Sequence, residues 1–442
     1  MEGPRVREID ISKPAQALRF IRFAEYVAVL GGLTMLYAFL SVMVANPDLR
    51  TGDRLILYLF MIAMVSVPVF VGYRGINRLD SRILRAYFIT FPMLLIIMLF
   101  SLFSILILIL AAMTQHDKSL LDEGHLIALI YLGPATVIIC TGLVFDFLLI
   151  RMRVDSLGIN LVRLLSNLKS QSGPQAKKVK RVNLNAGIWN SLLGGGLVLG
   201  GILLPLKSIE DLSLSILGYF VLIKARRYLQ ADIQSLLTLD KRRVILLLRA
   251  FDDDIPLPLS SFFLFPIKWV IDFSLEARLL NHFSYFGPFI TVGSPKDPLP
   301  LPGAARAFLS DSDWPSQVIR WISEAALIIM YAGKTPWVSW ELAKVIEAER
   351  VRNLIMIFPE IRHGSLYQDI YPRIECVRHV FQNTKWSEAL ASFQDYVYPR
   401  AILFRDDGSI IVIKSRYLNR DSYHLAAIIA HYLMLSGSTD AV

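Results

Sequence analysis

The feature that most constrains this chain is a series of long stretches without a charged residue in its first half. Tyr26–Pro47, Leu55–Tyr73, Ala86–Met113, Leu126–Phe145 and Val182–Leu206 are five of them, and Leu212–Ile223 is a shorter sixth. Crossing a bilayer takes about 20 apolar residues, and a helix is the open-chain form that satisfies its own backbone in lipid. Hydrophobic residues make up 54% of the chain and charged residues 19%, with the apolar excess lying before residue 225. The pattern predicts an α-helical membrane domain of about six transmembrane helices. It makes the chain a multi-pass integral membrane protein of the cell membrane, with the lipid bilayer as its first partner.

Lys and Arg in the short connections set the expected orientation. The N-terminal segment carries Arg5, Arg7, Lys13, Arg19 and Arg22. Arg74, Arg78, Arg82 and Arg85 follow the second run, and a basic stretch from Arg151 to Arg181 follows the fourth. The alternate connections hold Asp117, Asp122 and Glu123, and Glu210 and Asp211. Six spans with cytoplasmic N- and C-termini fit this alternation. Asp146 is the one candidate for an ionisable group inside the membrane; one turn from Arg151, it reads as an interfacial group rather than a transport site. Gly196 and Gly200 have a spacing that allows close helix approach, within the chain or across a dimer seam.

The net charge of +9 sits largely in these connections, and no basic surface with stacking groups points to nucleic acid. Two cysteines, Cys140 and Cys376, give no disulfide framework and no thiolate metal site. No cofactor and no metal is expected.

Beyond residue 225 the period changes. Ala225–Asp240 reads as a helix. Val244–Leu248, Pro288–Val292, Leu327–Tyr331 and Leu354–Phe358 are short continuous apolar runs, the mark of strands buried on both faces. Helices are expected at Glu276–Phe283, Gln317–Ala325 and Leu342–Arg350. Strands alternating with helices predict a mainly parallel α/β sheet, with ligands beyond the carboxyl ends of its strands. Further on, Asp407-Gly408 between two apolar runs signals a hairpin, and Tyr423–Leu435 a closing helix.

Leu327–Tyr331 followed by Thr335-Pro-Trp-Val-Ser-Trp-Glu-Leu342 resembles the third strand, loop and helix of Toll/interleukin-receptor (TIR) domains. Those commonly read Ser-Pro-Trp-Cys-x-x-Glu-Leu; Val338 stands here where Cys is usual. Val244–Leu248 with Arg249 and Asp252 is similar to that family's opening strand and turn. The resemblance covers about residues 242–360. Departures are Leu247 in the first strand and an apolar insert at Ile255–Phe273. The implied layout is a cytosolic segment at 1–23, a four-helix transmembrane region at 24–151 and a basic cytosolic loop at 152–181. A transmembrane hairpin at 182–224 and a connecting helix at 225–241 follow. A TIR-like, flavodoxin-like domain occupies 242–360, and an extension with hairpin and helix 361–442.

Many TIR domains cleave NAD between nicotinamide and ribose with the glutamate that Glu341 matches. The resemblance therefore implies NAD as a substrate rather than a cofactor, and Glu341 as catalytic residue. A carboxylate there would stabilise the oxocarbenium-like ribose. With Ser339 as N-cap, the helix dipole would favour the ionised form of Glu341. Arg249, Phe251, Asp252, Trp337 and Trp340 are the candidate NAD-contacting residues. The plainer readings are a helix-start acid for Glu341, a core residue for Trp337, and an Arg249 that pairs with Asp252–Asp254. The implied function is a membrane-anchored signalling or effector protein, homo-oligomeric through its TIR-like domain. The alternatives are a non-catalytic scaffold or a regulated channel.

Overall fold

The computed structural model describes residues 6–20, 152–172, 182–203, 217–218, 220–222, 224–225, 228–249, 275–293, 304–310, 312–358, 366–392, 398–417 and 419–436. The chain divides into two compact units, one of residues 1–15 with 168–442 and one of residues 16–167. In the second unit, Arg153–Val154 pairs antiparallel with Ile159–Asn160. Gly158 turns the connection at φ +61°, and helix α1 (Leu161–Ser170) starts there.

The expected transmembrane architecture is corrected here. Among the described residues, no helix is long and apolar enough to cross a membrane. The multi-pass reading, and the cell-membrane placement that rested on it, fall with that finding. The first four runs lie outside the described residues. The fifth is partly helix α2 (Leu184–Leu203), and it shows the physical reason. An uncharged stretch is not the same as an apolar one. Asn190 and Ser191 lie inside α2, and their side chains return hydrogen bonds to the carbonyls of Ala186 and Gly187. At Gly194 an added Cβ would meet the Gly218 carbonyl at 2.7 Å, whereas Gly196 has nothing within 4 Å. Close approach within the chain therefore uses Gly194.

The first unit is built on one eight-stranded sheet. Its strands are β1 (Val6–Asp10), β2 (Ile245–Leu248), β3 (Phe289–Gly293), β4 (Ala305–Phe308), β5 (Leu327–Tyr331), β6 (Leu354–Ile357), β7 (Pro399–Phe404) and β8 (Ile410–Lys414). The spatial order is β1-β8-β7-β6-β5-β2-β3-β4. From β6 to β4 the strands run parallel; β7 is antiparallel to β6 and to β8, and β1 pairs parallel with β8. The sheet is thus mixed but mainly parallel, β7 alone running against the rest, and it reaches beyond residues 242–360 at both ends. Gly408, at φ +82°, lets the β7–β8 hairpin turn.

The central strands are buried on both faces because helices cover both. On one face, Leu246, Leu248, Ile290, Ile328 and Met356 join a single apolar cluster. It includes residues of α5 (Trp314–Glu324), α6 (Pro336–Glu347), α7 (Leu366–Val380) and α8 (Ser387–Ser392). On the other face, α4 (Leu275–Phe283) packs against α9 (Arg420–Ser436), and Phe283 stacks on Phe289 at 6.1 Å. Helix α3 (Ile233–Leu239) lies by the β4 edge, N-capped by Asp232, whose carboxylate accepts from Ser235 N at 2.9 Å.

Candidate functional site at the start of helix α6

Helix α6 starts six residues earlier than the apolar periodicity suggests, and the chain itself explains why. Thr335 is the N-cap, in extended conformation, with Oγ1 accepting from Val338 N at 3.4 Å. Pro336 occupies the first turn, where its missing N–H costs nothing. Gly333 makes the tight entry possible, since a Cβ there would come within 2.9 Å of Val338. The expected N-cap, Ser339, sits inside the helix instead, and its Oγ lies 3.1 Å from Cys376 Sγ on α7.

The buried face of α6 consists of Val338, Glu341, Leu342 and Val345. Glu341 is 5% exposed, and its Oε2 is buried with no hydrogen-bond partner among the described residues. Burial alone pushes its pKa up to about 8. The expectation of a dipole-stabilised carboxylate is therefore reversed: α6 starts at Pro336, which puts Glu341 beyond the first turn where the dipole acts, and desolvation raises its pKa. Trp337 lies one turn before Glu341, on the same side of the helix. It is 64% exposed, so it is not a core residue. Its indole meets Trp314 of α5 edge-on at 5.2 Å, and Trp314 meets Trp340 at 5.0 Å. This aromatic group stands at the carboxyl end of the parallel strands, because α6 leaves β5 there. Lys344 reaches over the Trp340 ring at 5.9 Å and pairs with Glu347 at 2.6 Å.

Arg249 is not part of this group. It extends from β2 to the opposite face, 3.2 Å from Glu276 in the first turn of α4. Glu276 also takes Arg306 of β4 at 3.0 Å and the Ala304 N–H at 2.9 Å. Arg249 thus pairs with Glu276, which the sequence marks only as the first residue of an expected helix. Phe251, Asp252, the 255–273 insert and the 294–303 loop lie outside the described residues. The structure brings Glu341, Trp337 and Trp340 together and puts Arg249 across the sheet from them.

The α4–α9 face holds further buried polar groups. Arg278 and Asp421 pair at 2.7 Å, with side chains 1% and 7% exposed. His431 Nδ1 lies 3.4 Å from His282 Nε2. Burial lowers both imidazoles, His431 to about 3, so both are neutral at physiological pH. Among the described residues no group of His, Cys, Asp and Glu side chains is arranged to hold a metal ion. The chain matches no protein-family model, no curated protein and no solved structure.

Proposed function

We propose that the α/β domain is a TIR-like interaction module that works by self-association, without cleaving NAD. The burial of Glu341 carries this reading. A carboxyl whose pKa stands at about 8 is mostly protonated at pH 7, and an uncharged acid offers no stabilisation to an oxocarbenium ion. At 5% exposure it also has little contact with anything outside the fold. The exposed Trp337 suits association, since large aromatic side chains are the usual anchors of protein interfaces.

One observation favours the enzyme reading as the second choice. Trp337 and Glu341 share one side of α6 at the end of the sheet where such folds bind substrates. Ionising Glu341 at pH 7 against a value of about 8 costs about 1.4 kcal/mol, which a cationic nicotinamide ring could offset.

Clustering the full chain and measuring nicotinamide release from NAD separates the two. The module reading expects no release from wild type or Glu341→Gln, and equal concentration-dependent association of both in sedimentation. Release that Glu341→Gln abolishes would overturn it in favour of the enzyme. A chain that stays monomeric at high concentration would also overturn it.

A further inference from the structure

The amino end of the parallel sheet carries a group of cations that have no carboxylate partner among the described residues. Arg243 precedes β2 and caps the end of α5, donating from Nε to the Glu324 carbonyl at 3.1 Å and from Nη2 to the Ala325 carbonyl at 3.2 Å. Arg350, which precedes β6, donates from Nη2 to that same Ala325 carbonyl. A helix end is well served by one guanidinium, which complements its dipole. The second brings like charge beside the first. Among the described residues neither has a carboxylate partner, and Arg350 Nε is buried without an acceptor. Glu324, the acid at hand, is taken by Arg320 at 2.9 Å. Burial, then the charges of Arg243 and Arg352, make Arg350 less basic than an ordinary arginine. Lys241 and Arg352 are exposed in the same stretches of chain.

Arg243 and Lys241 also border a cleft of about 980 Å³ between α3, the β4 edge and α5. Its apolar wall includes Leu237, Phe308, Leu309 and Trp321, and Gln234 and Gln317 supply amides. That volume is within the range of small-molecule sites, and aromatic walls with a few polar groups are their usual lining.

We propose that this cleft, with the arginines beside it, binds a nucleoside polyphosphate. The nucleoside lies in the cleft against Trp321 and Phe308, and the phosphate oxygens accept from Arg243, Arg350 and Arg352. Planar guanidiniums with free donors match phosphate oxygens two at a time, and an anion between them removes their mutual repulsion. The arginines are at the opposite end of the strands from Trp337 and Glu341, so their role does not depend on the function assigned to that end.

The test is a titration of the full chain with ATP and with inorganic tripolyphosphate, followed by intrinsic tryptophan fluorescence and by calorimetry. Saturable ATP binding is expected, weakening as salt rises. Arg243→Gln with Arg350→Gln should weaken it at least tenfold. Those arginines cap α5, so Arg352→Gln serves as the variant without risk to the fold, since its side chain is exposed and makes no hydrogen bond among the described residues. It should weaken binding severalfold. Tripolyphosphate should bind at least tenfold more weakly than ATP, and Phe308→Ser should weaken ATP alone. The proposal is overturned if wild type does not bind ATP, or if affinity is unchanged in Arg352→Gln and in the double variant. Equal affinity for tripolyphosphate and ATP would remove the cleft from the site.

Discussion

The two faces of the sheet handle buried charge in opposite ways. On the α4–α9 face charges are kept and matched: Arg278 with Asp421, and Arg249 and Arg306 with Glu276. On the α5–α6–α7 face Glu341 is buried with a carboxyl oxygen that has no partner among the described residues, and desolvation makes it hold its proton. A matched pair is stable only while both members remain. A neutralised acid is stable only while the pH stays below its shifted pKa. The same β-sheet therefore has one face that is sensitive to mutation and another that is sensitive to alkali.

The largest effect is expected where the pairs are broken. Asp421→Ala takes the carboxylate from the almost fully buried Arg278 and should cost about 3–5 kcal/mol in urea unfolding. A loss below about 1 kcal/mol would show that the pair is not the matched charge described.

Next comes Glu341. Its folded pKa of about 8 lies above that of an unfolded glutamate, so the folded state holds the extra proton between about 4.3 and 8. Stability falls as pH rises through that window. Glu341→Met should remove the slope and stabilise the protein by a few kcal/mol at pH 8. A flat wild-type profile from pH 6.5 to 8 would contradict the buried neutral acid.

The histidines act in the other direction. Both folded pKa values lie below the unfolded value near 6.5, so the unfolded state takes up protons first as pH drops. Stability then declines from about pH 6.5 toward pH 3, and His431→Phe should flatten the acid limb. Below about pH 6.5 the histidines therefore oppose the glutamate, whose own effect favours lower pH. The smallest effect is at Trp337. Since its indole is mostly exposed, Trp337→Ala should change stability by about 0.5 kcal/mol or less while weakening self-association in sedimentation.

What could be read in the sequence follows the range over which each signal acts. β2, β3, β5 and β6 are continuous apolar runs between polar breaks, and the β7–β8 hairpin announces itself through Asp407-Gly408. β4 was not visible. Its Ala305-Arg-Ala-Phe308 has little β-propensity, and Arg306 is buried only because Glu276, 30 residues away, receives it. β1 escaped notice because its charges suit an exposed segment and its partner strand is far off in sequence. Pro372 inside α7 hid that helix's period. At the site, the motif places Glu341 in the first turn of a helix, whereas α6 starts at Pro336 and Glu341 lies in its second turn; its burial depends on how the neighbouring helices pack, which no local pattern encodes. In the fifth uncharged run, a count of missing charges gives Asn190, Ser191 and the glycines of α2 the weight of leucine.

The pairing of β1 with β8 has a consequence for how the protein is made. Glu8 and Lys414, which pair across these strands, are 406 residues apart in sequence. At ribosomal speeds of about 5–20 residues per second, β1 waits roughly 20 to 80 s before its partner exists. During synthesis it is a strand without a sheet, open to the wrong neighbour. Arg7, Glu8 and Asp10 are then its protection, because charges along a lone edge discourage pairing with other chains. The last seam of the sheet is the one whose first half was made earliest, and its charges guard it until then.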